Sequence, residues 1–181
     1  MKVKDALQKY YDKHPFFGVN GGQEENTIKV YLGNLDMQVP NFEFRKRLVP
    51  YHDLNHMISG YNNSRAGEGE VSAWELGTGT LSYPLATFYS MAGFTTGMLV
   101  DRKRTYEAFI RGRSCKNLYK YDLNILMEME FSDIKEESLH SEKKSFRVLD
   151  KPLFFLFSVA SSFFAIAYYM MYGASKALSN A

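Results

Sequence analysis

The chain has 181 residues, with 22 Lys and Arg against 20 Asp and Glu, so its net charge is close to neutral. This length allows one domain with a sizeable core and an appendage, and the balanced charge argues against nucleic acid as a general partner. A single cysteine, Cys115, excludes both a disulfide framework and a cysteine-based metal site. The first residues hold an early acid and no apolar stretch, so we expect neither a secretory signal nor a transit peptide.

Residues 1–41 are predicted to form an N-terminal helix followed by a turn-rich region. Apolar side chains repeat at helical spacing over residues 3–13. Two short alternating runs, 27–31 and 35–39, flank the turn sequence Gly33-Asn34. These runs predict a small β-hairpin.

Two histidines, His52 and His56, carry the strongest functional signal. They follow Pro50, which favours the first turn of a helix, and Gly60 is expected to end that helix. Residues four apart on a helix share one face, so both imidazoles should point the same way. Asp53 lies beside them in the sequence.

Acidic side chains complete the candidate site. Glu68 follows His56 after a polar turn that would fold a second helix back against the first. Imidazole and carboxylate form a mixed nitrogen and oxygen site, which suits Zn²⁺ best, with Fe²⁺ and Mn²⁺ as alternatives. We predict that His52, His56 and Glu68 bind the metal and leave an open position for water or substrate. Asp53 would bind directly or orient a histidine ring, and Glu75 is a further acid expected to pack between helices or to orient a ligand.

The motif His-Asp-x-x-His, followed after eleven residues by Glu, resembles the signature of the Coq-four family of ubiquinone (coenzyme Q) biosynthesis. Gly67-Glu68 and Trp74-Glu75 look like the Gly-Glu and aromatic-Glu pairs of that family. Gly112 to Leu118 is similar to its Gly-Arg-x-x-Lys-x-Leu block. The resemblance covers roughly residues 42–139 and implies a compact helical metal-binding domain over that range.

The resemblance also implies a ligand and an activity. The ligand would be a polyprenylated quinone precursor or another isoprenoid lipid, and the activity either oxidative removal of the ring carboxyl group or organisation of a biosynthetic complex. The basic residues Arg111, Arg113 and Lys116 could bind a precursor carboxylate or anionic lipid headgroups, or form an ordinary solvated helix face.

The stretch from Leu76 to Val100 contains no charged residue and is long enough to span a bilayer. Its glycines, its Ser and Thr residues and Pro84 favour a helix covered by its neighbours inside the domain. Small residues leave space, so we predict that Gly93 and Gly97 line an apolar groove that accepts an isoprenoid or acyl chain.

Two further helices are predicted beyond this stretch, a charged one over 101–113 and an apolar-faced one over 118–129. Residues 140–151 are polar and are predicted to form a linker.

A transmembrane helix is predicted over residues 152–173, because this stretch is uncharged and meets the ~20 residues that a membrane-spanning helix needs. Ser158, Ser162 and Ala165 recur at about one-turn spacing, which predicts a face that packs on a helix of another membrane protein. Basic residues are more frequent before the stretch than after it. This bias predicts that residues 1–151 lie on the cytoplasmic or matrix side of a bacterial cytoplasmic or mitochondrial inner membrane.

The sequence therefore predicts a mostly α-helical, membrane-anchored, Coq-four-like metalloprotein that acts on or presents quinone precursors. The alternative is a non-catalytic accessory subunit of a membrane energy-converting complex, respiratory or photosynthetic, which reuses the fold. The predicted C-terminal anchor with its small-residue face motivates this alternative.

Overall fold

The structure, a computed structural model, describes residues 1–15, 18–33, 35–140 and 147–179. In these residues the predicted fold class is confirmed: the chain is mostly helical, with one small sheet and a C-terminal helix long and apolar enough to cross a membrane. The elements in chain order are α1 (Val3–Lys13), β1 (Thr27–Leu32), β2 (Leu35–Pro40), α2 (Glu43–Ser59), α3 (Arg65–Gly77), α4 (Pro84–Val100), α5 (Arg102–Gly112), α6 (Leu123–Glu128), α7 (Phe131–Leu139) and α8 (Arg147–Ser179).

The predicted N-terminal helix and hairpin are confirmed. The apolar side chains of α1 that recur at helical spacing are buried, among them Val3, Leu7 and Tyr11. Strands β1 and β2 pair antiparallel, with Leu32 opposite Leu35 at the turn. Asn34, the second residue of the predicted turn, lies outside the described residues.

Helix α2 begins at Glu43, two turns before the predicted start, so the prediction that Pro50 opens the helix is wrong. An internal proline costs about 3 kcal/mol because it removes a hydrogen bond and crowds the preceding turn. Burial of Pro50 itself together with Leu54 and Ile58 offsets this cost. The predicted end at Gly60 is confirmed, with a left-handed φ of 80° and its N–H donating to the His56 carbonyl oxygen at 2.8 Å.

Helices α3 and α4 approach so closely that glycine is needed on both. A Cβ built on Gly97 would lie 2.7 Å from the Gly69 Cα and 2.6 Å from the Thr105 Oγ1, and one on Gly93 would overlap the Ser72 hydroxyl. The space that a lipid groove would need is thus filled by backbone and side chains. These glycines permit close helix packing, which weakens the prediction that Gly93 and Gly97 line such a groove.

The uncharged stretch from Leu76 to Val100 is not one helix, because α3 ends at Gly77 and α4 begins at Pro84. Met91 and Phe94 on α4 are buried, as expected for a helix covered by its neighbours inside the domain. In the described part of the chain the candidate membrane span lies in α8, over Val148–Ala174.

The helix predicted over 101–113 is confirmed as α5, whereas the helix predicted over 118–129 is wrong in extent. Only Leu123–Glu128 is helical there, and Asp122 caps it by accepting from the Asn124 N–H at 2.9 Å. Leu118 nevertheless packs into the core as its spacing indicated.

Helix α8 starts earlier than the predicted span. Residues 147–151, assigned to the linker, are helical, and residues 141–146 lie outside the described residues. The helix packs against α4 and α5 within its own chain, with Phe154, Phe157 and Ser161 buried.

The packed face of α8 differs from the predicted small-residue face. Ser162 is exposed, Ser158 and Ala165 are half-buried, and both serine hydroxyls donate to carbonyl oxygens of their own helix. Docking of Ser158, Ser162 and Ala165 on another membrane protein stays a prediction.

Candidate metal centre

A tight turn between α2 and α3 positions the acidic ligand opposite the histidines. The Ser64 hydroxyl caps α3 by accepting from the Gly67 N–H at 3.1 Å. A Cβ on Gly67 would overlap the Asn62 carbonyl oxygen, so only glycine lets the turn lie this close to the helix. Glu68 therefore projects from the first turn of α3 toward α2.

The predicted ligands His52, His56 and Glu68 converge. The Nε2 atom of His52 lies 3.2 Å from Glu68 Oε2, and the Nε2 atom of His56 lies 3.4 Å from Glu68 Oε1. The candidate ligand atoms of the three residues all lie within 4.8 Å of one another. Ligands of a tetrahedral ion with bonds of about 2.1 Å stand about 3.4 Å apart, so the spacing suits a Zn²⁺-sized ion.

Each imidazole is oriented by a hydrogen bond on its other nitrogen. The Nδ1 atom of His56 lies 3.0 Å from the Tyr61 carbonyl oxygen, which can only accept, so Nδ1 carries a proton and Nε2 of the neutral ring is the nitrogen with a free lone pair. The Nδ1 atom of His52 donates in the same way to Glu75 Oε1 at 3.0 Å. The Nε2 atom of His56 is buried without a hydrogen-bond partner in the described part of the chain. A metal ion would satisfy that lone pair.

Glu75 is fully buried and holds His52 in place. Its carboxylate also accepts from Asn55 at 2.8 Å, Ser90 at 2.6 Å and Tyr119 at 3.2 Å. Burial acts to raise the pKa of Glu75, but His52 and the hydroxyl and amide donors outweigh it, so the pKa is lowered. Burial likewise acts to lower the pKa of His52, and the Glu75 charge raises it well above its ordinary value. A carboxylate behind a ligating histidine is the arrangement that fixes ring orientation in metal sites.

Glu68 is the accessible member of the cluster, since a third of its side chain (34%) is exposed. Burial acts to raise its pKa, but the two histidines lower it, so the carboxyl group is ionised. An open cavity of about 500 Å³ lies beside His56, lined among others by Tyr10, Tyr61 and Asn63. Of the cluster, the cavity is lined by His56 and not by His52 or Glu68, so the exposed part of Glu68 is what connects the cluster with solvent.

Asp53 lies apart from the three-residue cluster. Its side chain is buried, and a Cβ on Gly21 would lie 2.9 Å from its Oδ2 atom. That oxygen and the Tyr11 hydroxyl are neighbours, although no hydrogen bond of good geometry reaches either atom in the described residues. Burial is the main reason that the pKa of Asp53 is raised. Of the two roles predicted for Asp53, this position favours an indirect one over direct metal binding.

The predicted headgroup-binding residues do not converge on the cluster. Arg111 donates to the Ser59 carbonyl oxygen at 2.7 Å, and Arg113 donates to Asp150 at 2.7 Å. Lys116 lines a separate cavity that shares no lining residue with the one beside His56. Arg111 and Arg113 thus join helices to one another, which weakens their assignment to a ligand.

Sequence reasoning missed the residues that surround Glu75. Asn55 lies on the histidine helix and faces inward, a position that helical spacing could have indicated. Ser90 and Tyr119 come from distant elements, and nothing in the local pattern brings them to this carboxylate.

The resemblance to the Coq-four family rests on sequence motifs alone. Comparisons of the chain with protein-family models, curated proteins and solved structures found no match.

Proposed function

We propose that the chain is a membrane-associated metalloprotein that binds one divalent ion, Zn²⁺ before Fe²⁺ or Mn²⁺, through His52, His56 and Glu68. The observation that carries the proposal is the pair of Nε2 atoms aimed at one carboxylate, each imidazole being fixed through Nδ1. In the described residues the buried Nε2 of His56 faces Glu68 Oε1 at 3.4 Å without a hydrogen bond of good geometry, and an ion between the two groups would satisfy both.

The metal assignment is tested by elemental analysis of purified protein. We expect about one ion per chain in the wild type and in His140→Ala, which removes an exposed imidazole far from the cluster in sequence. His56→Ala should lose the ion. Equal metal content in the wild type and His56→Ala would overturn the assignment.

As to the reaction, we propose that the protein acts on or presents a polyprenylated quinone precursor, with residues 1–151 on the cytoplasmic or matrix side. The partial exposure of Glu68, together with the open cavity that His56 lines, supports access of a ligand to the cluster. Oxidative removal of the ring carboxyl group releases carbon dioxide and consumes an oxidant, so the assay contains dioxygen. Turnover of a prenylated hydroxybenzoate by metal-loaded protein supports an enzyme, and its absence at full metal occupancy argues against one.

A second candidate is a non-catalytic subunit of a membrane energy-converting complex. The outward apolar face of α8 favours it, because a neighbouring subunit could cover that face. Stoichiometric co-purification with a large complex, without turnover, would support this candidate.

A further inference from the structure

Two hydrogen bonds, far apart along α8, join this helix to the rest of the domain. Near its start, Arg113, which directly follows α5, donates to the buried Asp150 at 2.7 Å. Further along, the Tyr168 hydroxyl donates to the Val30 carbonyl oxygen of β1 at 2.9 Å. Between these points Phe154 and Phe157 are buried against α4 and α5. The helix therefore lies along the domain over most of its apolar length.

Within the described residues, this docking leaves no free part of α8 long enough to cross a bilayer. The described part beyond Tyr168, residues 169–179, extends only about 17 Å, whereas a hydrocarbon core is about 30 Å thick. The docked part could cross only if the domain entered the membrane with it. That is unfavourable, because the same elements carry exposed charges: Arg102 and Lys103 on α5, and the exposed ion pair of Lys29 with Asp36 in the hairpin.

The face of α8 turned away from the domain is mostly apolar. Its large exposed side chains include Phe155, Leu156, Val159, Phe163, Ile166 and Met170, and the exposed Ser162 lies among them. We call this set, together with Leu85 and Phe88 of α4, the apolar face. The exposed surfaces of α4 and α8 adjoin there, because the centre of the half-exposed Phe88 ring lies 5.3 Å from that of the Phe164 ring.

Exposed cations lie at the start of α8 and at the start of α5. Lys151 is exposed one helical turn before Phe155 of the apolar face. At the junction of α4 and α5, the exposed apolar residues Leu99 and Val100 are followed by the exposed Arg102 and Lys103, and Lys103 pairs with Glu107 at 3.9 Å. An apolar surface with a cation at its edge matches the interface of a bilayer that contains anionic lipid, where the apolar side chains enter the acyl boundary and the cation meets headgroups.

We propose that α8 stays docked and that the apolar face lies flat in the interface of an anionic bilayer, so that the chain is bound to one leaflet and does not cross it. This inference rests on the membrane association in the proposed function and is independent of the metal and of any substrate. Both ends of α8 then remain on the side of the membrane that holds the domain.

The topology is tested with single cysteines in the full-length chain, in a Cys115→Ser background. Val148→Cys and Ala174→Cys mark the two ends of the candidate span. Sealed membrane vesicles of each orientation are treated with a membrane-impermeant maleimide before and after detergent. We expect both positions to react on the same side without detergent. Reaction of the two positions from opposite sides, or recovery of the chain in the soluble fraction, would overturn the proposal.

A second measurement tests whether an anionic bilayer, rather than another protein, covers the apolar face. Purified full-length protein should float with phosphatidylcholine vesicles that contain phosphatidylglycerol, and less with vesicles of phosphatidylcholine alone. Phe163→Glu should reduce binding about tenfold or more, whereas Phe163→Leu should retain it. Absence of vesicle binding by wild type would overturn the proposal and favour another protein as the occupant. Metal content measured in the same samples separates this failure from failure of the metal site.

Discussion

Glu75→Gln is the substitution that best separates metal binding from folding. The amide keeps the shape of the carboxylate, and its oxygen can still accept from the three donors at Oε1: His52, Asn55 and Tyr119. The amide nitrogen would face Ser90, whose hydroxyl can accept from it and donate to the Ala86 carbonyl oxygen, 2.9 Å away. The side chain therefore fits, and what changes is its charge.

Two effects on metal binding follow from the lost charge. His52 loses a charged partner that orients its ring and strengthens it as a ligand, and such changes lower metal affinity by roughly 10- to 100-fold, or about 1.4 to 2.7 kcal/mol. The pKa of His52, which Glu75 raises, should fall, so protons compete less with the metal. We expect weaker binding at alkaline pH together with a lower pH midpoint for metal release.

In the metal-free protein, Glu75→Gln should lower the free energy of unfolding by less than it lowers the free energy of metal binding. Hydrogen bonds to charged groups contribute about 1.5 to 3 kcal/mol and neutral ones about 1, while removal of a buried charge relieves its desolvation. The free energy of unfolding should therefore fall by about 1 to 2 kcal/mol, measured by urea denaturation with metal chelated.

Competition with a fluorescent Zn²⁺ indicator across pH provides the affinity assay. Glu70→Gln is the matched control, because Glu70 lies on the same helix and pairs with Arg104 outside the cluster, with Nε to Oε1 at 3.0 Å. The control should lose stability and keep metal affinity. If both variants bind Zn²⁺ with the same affinity and pH midpoint, the assigned role of Glu75 is wrong.

Three other outcomes follow from the same contacts. Gly97→Ala should lower the free energy of unfolding by about 1 to 3 kcal/mol, because its Cβ would press on the Gly69 backbone, whereas Gly173→Ala, with nothing within 4 Å, should not lower it. The raised pKa of His52 stabilises the metal-free fold fully below its unfolded pKa of about 6.5, and this contribution is lost as pH rises through the folded pKa. Because the pKa of Glu68 is lowered, its carboxylate stabilises the fold above the unfolded pKa of about 4.3, and this contribution is lost on acidification. The metal-free protein should therefore resist denaturant best between about pH 5 and 6.5. Saturating Zn²⁺ should shift this maximum to higher pH and raise the Tm, and an unshifted maximum would contradict metal binding at these groups.

The sequence was informative where the signal is local. Helical spacing placed His52 and His56 on one face, and Gly60 and the hairpin turn marked where elements end. It failed where tertiary burial overrides a local rule, as at Pro50, which lies inside α2 because the surrounding side chains are buried. The role of Gly93 could not be predicted from the sequence either, because a small residue leaves room for a ligand or for a neighbouring helix. Only the packing of the helices distinguishes these two roles.

Helix α8 shows a related limit of sequence-based prediction. Uncharged length predicts that a helix is able to cross a membrane, but length does not reveal which face is already used. Phe154, Phe155, Phe157 and Phe163 all lie in the same uncharged stretch, and nothing in the sequence distinguishes them. In the structure Phe154 and Phe157 are buried, whereas Phe155 and Phe163 are exposed. The partners that separate them lie on α4 and α5, more than forty residues away in the chain.

Helix α4 connects the two features of the protein on which the proposals depend. On one side, Ser90 donates to Glu75 and the Tyr89 ring lies 5.2 Å from that of His52. On another side, the adjacent Phe88 contributes to the apolar face. Three consecutive residues thus separate the candidate metal cluster from the surface proposed to meet lipid. Further along α4, Gly97 packs directly on Gly69 of α3, so the two helices leave no space between them there. An apolar ligand that left the bilayer for the proposed metal site would therefore have to pass around α4.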